Sequence, residues 1–359
     1  MSSPANRIEG NHTVNNPAVG HATRMFAEAG EGADVVAAQL ARNAPLLAAL
    51  GARLRAQPPR AVVTCARGSS DHAATYARYL IEAHTPALTS SAAPSLSSIY
   101  DASTDLRETL FVAISQSGKS PDLLAATANA RARGALTVAL CNTPDAPLMQ
   151  AVDVPVPLHA GRETSVAATK SYIASLSCIA QLVASWTQQL DLSESLAKLP
   201  AQLARAWMCD WNAGVAQLHD AVNLFVVARG FGLAVAQEAA LKLKETCALH
   251  AEAFSSAEIR HGPMALVRAG FPVLMFAQDD ETRAGVEQVA TEFAARGAKV
   301  LLAGGRAAGA ISLPTIAAHP VIEPILAIQS FYAMANELSV ARGLDPDRPP
   351  HLAKVTETL

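Results

Sequence analysis

Residues 111–122, Phe-Val-Ala-Ile-Ser-Gln-Ser-Gly-Lys-Ser-Pro-Asp, constrain the fold more than any other stretch of the chain. The four apolar residues predict a short buried strand, and Pro121 favours the first position of a helix that continues to about Arg133. A Gly/Ser loop between a strand and a helix presents backbone N–H groups and hydroxyls at the positive end of the helix dipole. The pattern is typical of a phosphate site, although Ser120 could equally be a simple N-cap among turn serines.

The loop does not follow the Walker pattern of nucleotide-binding proteins. Lys119 precedes a serine, but the upstream glycine of G-x-x-x-x-G-K-[ST] is missing. A phosphate that belongs to a sugar therefore fits this loop as well as a nucleotide does.

The same order of strand, Gly/Ser loop and helix occurs earlier in the chain. A strand at 61–66 runs into Arg67-Gly68-Ser69-Ser70-Asp71 and then into a helix at 73–83. Further strands are predicted near 87–90 and at 111–115, 135–140 and 152–156. Strands separated by helices predict a doubly wound parallel sheet, in which ligands bind beyond the carboxyl ends of the strands at a topological switch point. Two Gly/Ser loops at two such ends favour a shared phosphate site.

The second half of the chain repeats this layout. It has a strand at 222–228, a glycine loop at 229–232 and a helix at 235–249, and further strands are predicted at 272–277, 299–302 and around Ile311. An apolar helix at 322–341 mirrors one at 170–186. The sequence therefore predicts two tandem α/β domains related by duplication. Gln278-Asp279-Asp280 would repel a phosphate, so only the first copy is expected to bind one.

We predict the following division of the chain. A flexible arm covers residues 1–24, a first domain 25–200 and a second domain 201–345, with the connection between the domains inside the polar stretch 187–205. The last segment, 346–359, is too rich in proline for a core element and is expected to extend over the site.

Composition excludes several classes of function. Half of the residues are hydrophobic, 16% are charged and the net charge is −3, which gives no electrostatic reason to expect nucleic acid or an anionic membrane surface as a partner. The five cysteines are scattered without a C-x-x-C pair, so buried free thiols in a reducing compartment are expected. Because no membrane-length apolar run and no secretion signal are recognised, a cytoplasmic protein is predicted.

Candidate catalytic groups lie in the second half. Glu238, Lys242 and Glu245 are spaced four and three residues apart and share one helix face, for which a solvated face with ion pairs is the ordinary interpretation. This helix, however, follows a glycine loop at the edge of a sheet and leads into a His/Glu-rich loop that contains His261. A histidine, a glutamate and a lysine beside a phosphate site form an acid–base set. No metal-ligand spacing is present, so we expect no metal and no cofactor.

Six motifs, taken together, resemble the double sugar-isomerase (SIS) domain module, which is also the isomerase half of glutamine:fructose-6-phosphate aminotransferase. The resemblance covers about residues 25–359 and implies two tandem flavodoxin-like domains with helices on both faces of each sheet. The motifs are Ser115-Gln116-Ser117-Gly118-x-Ser120, Thr164-x-Val166-Ala167-x-Thr169-Lys170, Ala240-Leu241-Lys242-Leu243-Lys244-Glu245, His250-Ala251-Glu252-Ala253, Glu258-x-x-His261-Gly262-Pro263 and Leu352-Ala353-Lys354.

The resemblance implies roles for individual residues. Glu245 matches the base that moves a proton between C1 and C2, and Lys242 matches a lysine near the sugar. Lys354 matches a tail lysine that can form an imine with the open-chain ketose. His261 matches a ring-opening histidine from the neighbouring subunit, which implies a homodimer with shared active sites. The residues implied to bind the sugar phosphate are Gly68, Ser69, Ser70, Ser115, Gln116, Ser117, Gly118, Ser120, Val166 and Ala167.

The chain departs from the aminotransferases in three respects. About sixty residues precede the first strand, and Ser2 follows Met1, so no glutaminase domain with an N-terminal cysteine is expected. Lys119 stands where the aminotransferase has a glutamate, and Ala168 where it has a serine. The stretch from Ser115 to Asp122 instead resembles the stand-alone SIS deaminases, so we predict that the protein is a glucosamine-6-phosphate deaminase. The sugar would open, isomerise through an enolamine to the fructose-6-phosphate imine, and release ammonia to water.

Three alternatives stay open. The first is an isomerase, deaminase or deglycase of the same family that acts on galactosamine-6-phosphate or fructosamine-6-phosphate. The second is an ammonia-dependent aminotransferase, and the third is a sugar-phosphate sensor without turnover. The sensor is disfavoured because Glu245, His261 and Lys354 are all present. The sequence does not determine the C4 configuration of the sugar, the direction of flux or an allosteric effector.

Overall fold

A computed structural model describes residues 22–100 and 104–354. Residues 1–21 of the predicted arm and residues 355–359 of the predicted tail lie outside the described residues. In the first half the elements are α1 (Arg24–Gly30), α2 (Gly32–Ala56), β1 (Ala61–Cys65), α3 (Ser69–His84), β2 (Leu88–Ser91), α4 (Ser95–Ser98), β3 (Thr109–Ser115), α5 (Pro121–Ala132), β4 (Leu136–Cys141), α6 (Pro147–Ala151), β5 (Val154–Pro157) and α7 (Lys170–Thr187).

The second half continues with a similar series of elements. They are α8 (Leu190–Trp207), α9 (Asn212–Leu218), β6 (Asn223–Ala228), α10 (Leu233–Cys247), β7 (His250–Ser255), β8 (Pro272–Phe276), α11 (Arg283–Ala295), β9 (Lys299–Ala303), β10 (Ile311–Leu313) and α12 (Glu323–Ala341). Short 3-10 turns cover Gly230–Gly232, Glu258–His261 and Pro263–Leu266.

Each half forms a parallel five-stranded sheet, and the two sheets have the same topology. The strand orders are β2-β1-β3-β4-β5 and β7-β6-β8-β9-β10, so both halves read 2-1-3-4-5 when each is numbered separately. Every strand pair in both sheets is parallel. The predicted fold class, two tandem doubly wound α/β domains related by duplication, is confirmed.

One continuous core joins the two halves. Val62 and Val112 on the inner face of the first sheet belong to the same apolar cluster as Val226 and Leu274 of the second. The outer faces have their own clusters, under α5 and α6 in the first half and under α11 in the second. Because both faces are covered, every residue of β3 is buried, which explains its apolar run from Leu110 to Ile114.

The structure corrects two sequence-based expectations. The predicted His/Glu-rich loop contains strand β7, an edge strand in which His250 and Glu252 are exposed on either side of the buried Ala251. The polar side chains reflect one solvent-facing side of an edge strand. The polar stretch 187–205 is mostly helix α8, whose buried leucines at three- and four-residue spacing are Leu192, Leu196, Leu199 and Leu203.

Two further observations concern classes of site. Within the described residues, α2 has the length and mean hydropathy, 1.3, of a membrane span, although no such run was expected from the sequence. It supplies Leu47, Leu50 and Leu54 to the core and packs on α7 and α8, as a core helix does. The five cysteines are free, and all except Cys209 are buried, as predicted; burial raises the pKa of the Cys65 thiol to about 12.

Candidate active site

The two Gly/Ser loops meet at the switch point of the first sheet. Strands β1 and β3 are neighbours, but their connections leave in opposite directions, which opens a crevice beyond their carboxyl ends. A cavity of about 380 Å³ occupies this crevice. Its lining residues are Arg67, Gly68, Ser69, Ser70, Ile114, Ser115, Gln116, Ser117, Ser120, Leu123, Val166, Ala168, Lys242, Glu245, Leu352, Ala353 and Lys354. Two larger surface cavities, of about 530 and 640 Å³, lie at the amino ends of the strands and contain no Gly/Ser loop.

The floor of the cavity consists of two helix N-termini. Helix α3 begins at Ser69, after Gly68 with φ of +56°, so Ser69 and Ser70 lie in its first turn. Helix α5 begins at Pro121, and Ser120 makes no side-chain capping hydrogen bond. The hydroxyl of Ser120 is therefore not used as an N-cap, which removes the simpler interpretation of this serine. Both helix ends direct backbone N–H groups and positive potential toward the same space.

The second loop is held in shape from below. The N–H of Gly118 donates to the Ser115 hydroxyl at 2.9 Å. Gly118 has φ of +64°, and a Cβ there would lie 2.6 Å from the Cβ of Ala146 and 2.7 Å from the Sγ of Cys141. Glycine is required at this position because no side chain fits and because the backbone is left-handed. Gly118 thus shapes the loop without lining the cavity.

An arginine lies beside the loops. Arg67 lines the cavity, and its Nε and a terminal nitrogen donate to one carboxylate oxygen of Asp122 at 3.0 and 2.8 Å. Asp122 is buried in the first turn of α5, where it fixes the otherwise half-exposed guanidinium. The cavity therefore has a positioned cation next to its hydroxyls.

A buried charge cluster forms one wall. The Nζ of Lys242 lies 3.5 Å from Glu238 Oε1 and makes a short hydrogen bond to Glu245 Oε2. Glu238 also accepts hydrogen bonds from Ser69 Oγ at 3.0 Å, from His72 Nδ1 at 2.9 Å and from the Tyr332 hydroxyl at 3.3 Å. Because Glu238 and Lys242 are buried, the interpretation of this helix face as a solvated one is wrong.

The pKa shifts of Glu238 and Lys242 favour the ionised form of both groups. Burial raises the pKa of Glu238, but the charge of Lys242 and the contacts of His72 and Ser69 lower it more, so the net pKa lies below its ordinary value. Burial lowers the pKa of Lys242, but the charges of Glu238 and Glu245 outweigh burial and raise it. The site therefore holds an ammonium between two carboxylates, one of which, Glu245, faces the cavity.

The opposite wall is the loop before α7. Glu163, whose side chain is 0% exposed, accepts hydrogen bonds from the N–H groups of Thr169 and Ser171 at 2.9 and 3.2 Å. Its other oxygen accepts from the Ser171 hydroxyl at 2.6 Å and from Lys354 Nζ at 3.2 Å. Glu28 of α1 holds the same loop through both the backbone and the side chain of Thr164 and Ser165.

The structure brings most of the predicted site residues to one place. Three do not line the cavity: Gly118 lies beneath its loop, Ala167 is buried, and His261 is exposed at the end of a 3-10 turn. The predicted residues that do line it are Gly68, Ser69, Ser70, Ser115, Gln116, Ser117, Ser120, Val166, Lys242, Glu245 and Lys354.

Sequence reasoning did not assign several residues of the site. Arg67 was visible as the residue before a glycine loop, and Ala168 as a neighbour of Val166, but neither was assigned a role. His72, Glu163 and Tyr332 act through contacts with residues far away in the sequence, and no local pattern marks them. Within the described residues, no group of three or more His, Cys, Asp or Glu residues could hold a metal ion.

Comparison with known proteins gives a consistent result. The model of the SIS domain matches residues 57–185 and again 217–333. The chain is 35% identical over 270 residues to glutamine–fructose-6-phosphate aminotransferase (isomerizing) of Leifsonia xyli subsp. xyli, which covers 68% of this chain and 43% of that protein. The chain thus spans less than half the length of this curated relative.

Two solved structures are similar over almost the whole chain. A protein of Silicibacter pomeroyi DSS-3, assigned as a phosphosugar isomerase, is 43% identical with a TM-score of 0.87, and the match covers 90% of this chain and 100% of that one. The C-terminal domain of glucosamine-fructose-6-phosphate aminotransferase from Francisella tularensis is 26% identical with a TM-score of 0.80, covering 93% and 100%. Both similarities include the two halves that carry the cavity.

Proposed function

The chain belongs to the SIS domain family, and from that premise we propose that it converts glucosamine-6-phosphate and water into fructose-6-phosphate and ammonia. The observation that carries this proposal is the position of Glu245. Its carboxylate lines a cavity whose floor is two serine-rich helix N-termini and whose walls carry Lys242 and Lys354. Such a cavity suits a phosphosugar whose carbon chain extends from the helix ends toward a base.

The phosphate is proposed to bind to the two loops. The N–H groups at the starts of α3 and α5 and the hydroxyls of Ser115, Ser117 and Ser120 would donate to its oxygens. Arg67 would add a positive charge beside them. In this proposal the anion would bind at the first sheet, with C1 and C2 near α10.

The proposed chemistry is an aldose–ketose isomerisation followed by hydrolysis. In the open-chain amino sugar, Glu245 removes the proton from C2 and the resulting enolamine receives a proton at C1. The product is the imine of fructose-6-phosphate. Water then adds to C2, and ammonia leaves. Lys242, whose ammonium lies against Glu245, can stabilise the negative charge that develops on the C1 oxygen.

The direction of the reaction is proposed from the loop residues. Lys119 is exposed at the turn between β3 and α5, where the aminotransferases have a glutamate, and Ala168 lines the cavity in place of a serine. The stretch from Ser115 to Asp122, which contains Lys119, resembles that of the stand-alone SIS deaminases, and this resemblance supports the deaminase direction. The identity of the amino sugar and the use of water rather than free ammonia remain part of the proposal.

A second copy of the chain is proposed to complete the site. His261 is exposed and does not line the cavity of its own subunit. A histidine that opens the sugar ring must reach the ring oxygen, so in a homodimer His261 would enter the cavity of the other subunit. Size measurement in solution and complementation between His261→Ala and Glu245→Gln subunits test this part of the proposal.

The test of the function is ammonia release by the purified protein. Glucosamine-6-phosphate, galactosamine-6-phosphate and fructosamine-6-phosphate are each supplied, with Glu245→Gln as the control for a contaminating activity. We expect release from the first alone, with fructose-6-phosphate as the co-product. Release from one of the other two would retain the chemistry and change the substrate. Tight binding of all three without release would overturn the proposal in favour of a sensor.

A further inference from the structure

Among the residues that the structure describes, the buried carboxylate of Glu163 has one charged partner, and that partner is in the C-terminal tail. Three of its four donors belong to the start of α7: the N–H groups of Thr169 and Ser171 and the Ser171 hydroxyl. The fourth is Lys354. Burying an ionised carboxylate costs free energy unless donors and an opposite charge compensate for it. The N–H groups of Thr169 and Ser171 could donate to a neutral oxygen just as well. The negative charge of the carboxylate is therefore explained by the ammonium of Lys354.

The charge of Glu163 also affects the pKa of a second lysine of the site. The charge of Glu163 contributes to the raised pKa of Lys242, after burial and the larger effects of Glu238 and Glu245. Glu163 therefore lies near both lysines of the cavity, and its ion pair is with the one from the tail.

The tail has few other attachments. Asp347 accepts hydrogen bonds from the N–H groups of Arg24 and Met25, at 2.8 Å each, and so caps α1. From there to Lys354 the tail makes no hydrogen bond to the rest of the described residues. Leu352 and Ala353 nevertheless line the cavity. Pro349 is buried, but His351, Leu352 and Ala353 beyond it are exposed. Among the described residues, the contact between Lys354 and Glu163 is thus the polar contact that fixes this end of the tail over the cavity.

We propose that Glu163 is a positioning residue, whose buried carboxylate binds the ammonium of Lys354 and so places the tail across the mouth of the cavity. The function of this placement rests on the proposed sugar-phosphate site, but the placement itself does not. A lysine forms an imine only as the free amine, so Lys354 cannot form an imine while its ammonium is paired with Glu163. A sugar that uses Lys354 must first separate it from Glu163.

The substitution Glu163→Gln tests this proposal directly. The glutamine carbonyl oxygen still accepts from the two N–H groups of α7, but the charge that binds Lys354 is gone. Without substrate, reductive methylation with formaldehyde and cyanoborohydride reports the accessibility of each lysine by mass spectrometry, with the exposed Lys299 as the internal reference. We expect methylation of Lys354 to become roughly tenfold faster, as the loss of a charged hydrogen bond predicts.

A matched control removes a different carboxylate beside the same helix. Glu31 pairs with the buried Lys170 at the start of α7, 2.7 Å away, and does not touch the tail. Glu31→Gln is expected to leave the methylation of Lys354 unchanged. An equal increase in both variants would mean that the loop as a whole had loosened, which would overturn a specific role for Glu163.

A second variant keeps the proposal testable if Glu163→Gln does not fold. Lys354→Met removes the same ion pair and leaves the cap of α7 intact. Hydrogen exchange of peptides from the last fourteen residues is expected to become faster in this variant than in the wild type. Unchanged exchange would overturn the proposal, because the tail would then be held by other contacts. Neither measurement uses turnover, so a failure of the proposed reaction is recognised separately, by the ammonia assay.

Discussion

The Nδ1 of His72 lies 2.9 Å from the Oε2 of Glu238, and this contact joins the helix of the first Gly/Ser loop to the helix that carries the proposed base. The other oxygen of Glu238 accepts from Ser69 and lies 3.5 Å from Lys242. His72 thus engages Oε2, while Lys242 lies nearest Oε1 and makes its hydrogen bond to Glu245 instead.

Two substitutions of His72 separate the effect of its hydrogen-bond donor from the effect of its side-chain shape. In His72→Leu the Oε2 of Glu238 loses its partner and can draw Lys242 away from Glu245, so kcat is expected to fall roughly tenfold. In His72→Asn the amide nitrogen can donate from nearly the same place, and most of the activity should return. Steady-state ammonia release measures both. Equal losses in the two variants would show that the donor is not what matters.

Glu238→Gln is expected to lower stability in a pH-dependent way. The folded-state pKa of Glu238 lies below its ordinary value of 4.5, so its contribution is present above that pH and is lost as the pH falls through the folded value. Removing one partner of a buried ion pair typically costs about 3 kcal/mol. Urea unfolding at pH 7 should therefore separate the variant from the wild type, and the difference should shrink below pH 4.5. A difference independent of pH would contradict the ionised cluster.

Ser117→Ala is expected to weaken binding without changing the fold. Ser117 lines the cavity, and its hydroxyl is proposed to donate to the phosphate, so the Kd of fructose-6-phosphate should rise roughly fivefold to tenfold. Ser193→Ala is a matched control, because that hydroxyl bonds to the Gln189 carbonyl and does not line the cavity. Calorimetric titration measures both variants, and an unchanged affinity of Ser117→Ala refutes its assignment.

Glu245→Gln is expected to remove turnover and to retain binding. Glutamine has nearly the same shape but cannot accept a proton from C2, and loss of a general base typically costs about 10²–10⁴-fold in rate. The Kd of fructose-6-phosphate should change little, because the proposed phosphate contacts lie on the other side of the cavity. Loss of binding and of the fold together would count against the role of Glu245.

The sequence predicted the features that depend on residues close together in the chain, and it did not predict those that depend on residues far apart. The two loops and the shared crevice were predictable because strand, Gly/Ser loop and helix are local patterns, and the parallel sheet dictates where they meet. Glu163 and His72 were not assigned, because their partners lie 191 and 166 residues away. Strand β7 was missed because its polar, solvent-facing residues resemble a loop. Local patterns thus located the two Gly/Ser loops, whereas the charge cluster needed the tertiary structure.

Substitution of Gly118 tests how the second Gly/Ser loop, proposed to bind phosphate, is shaped. Gly118→Ala adds a Cβ within 2.7 Å of two atoms in a left-handed backbone, so the loop from Ser117 to Ser120 must move. Backbone strain and overpacking together should cost about 2–3 kcal/mol. Gly161→Ala is the matched control, because φ there is +67° and no atom lies within 4 Å of the added Cβ.

Strain alone at Gly161 should cost about 1 kcal/mol. Urea unfolding compares the two variants, and titration with fructose-6-phosphate is expected to show weaker binding by Gly118→Ala only. Equal losses of stability would mean that the loop accommodates a methyl group, and the close packing of Gly118 on Ala146 would then not be what shapes the site.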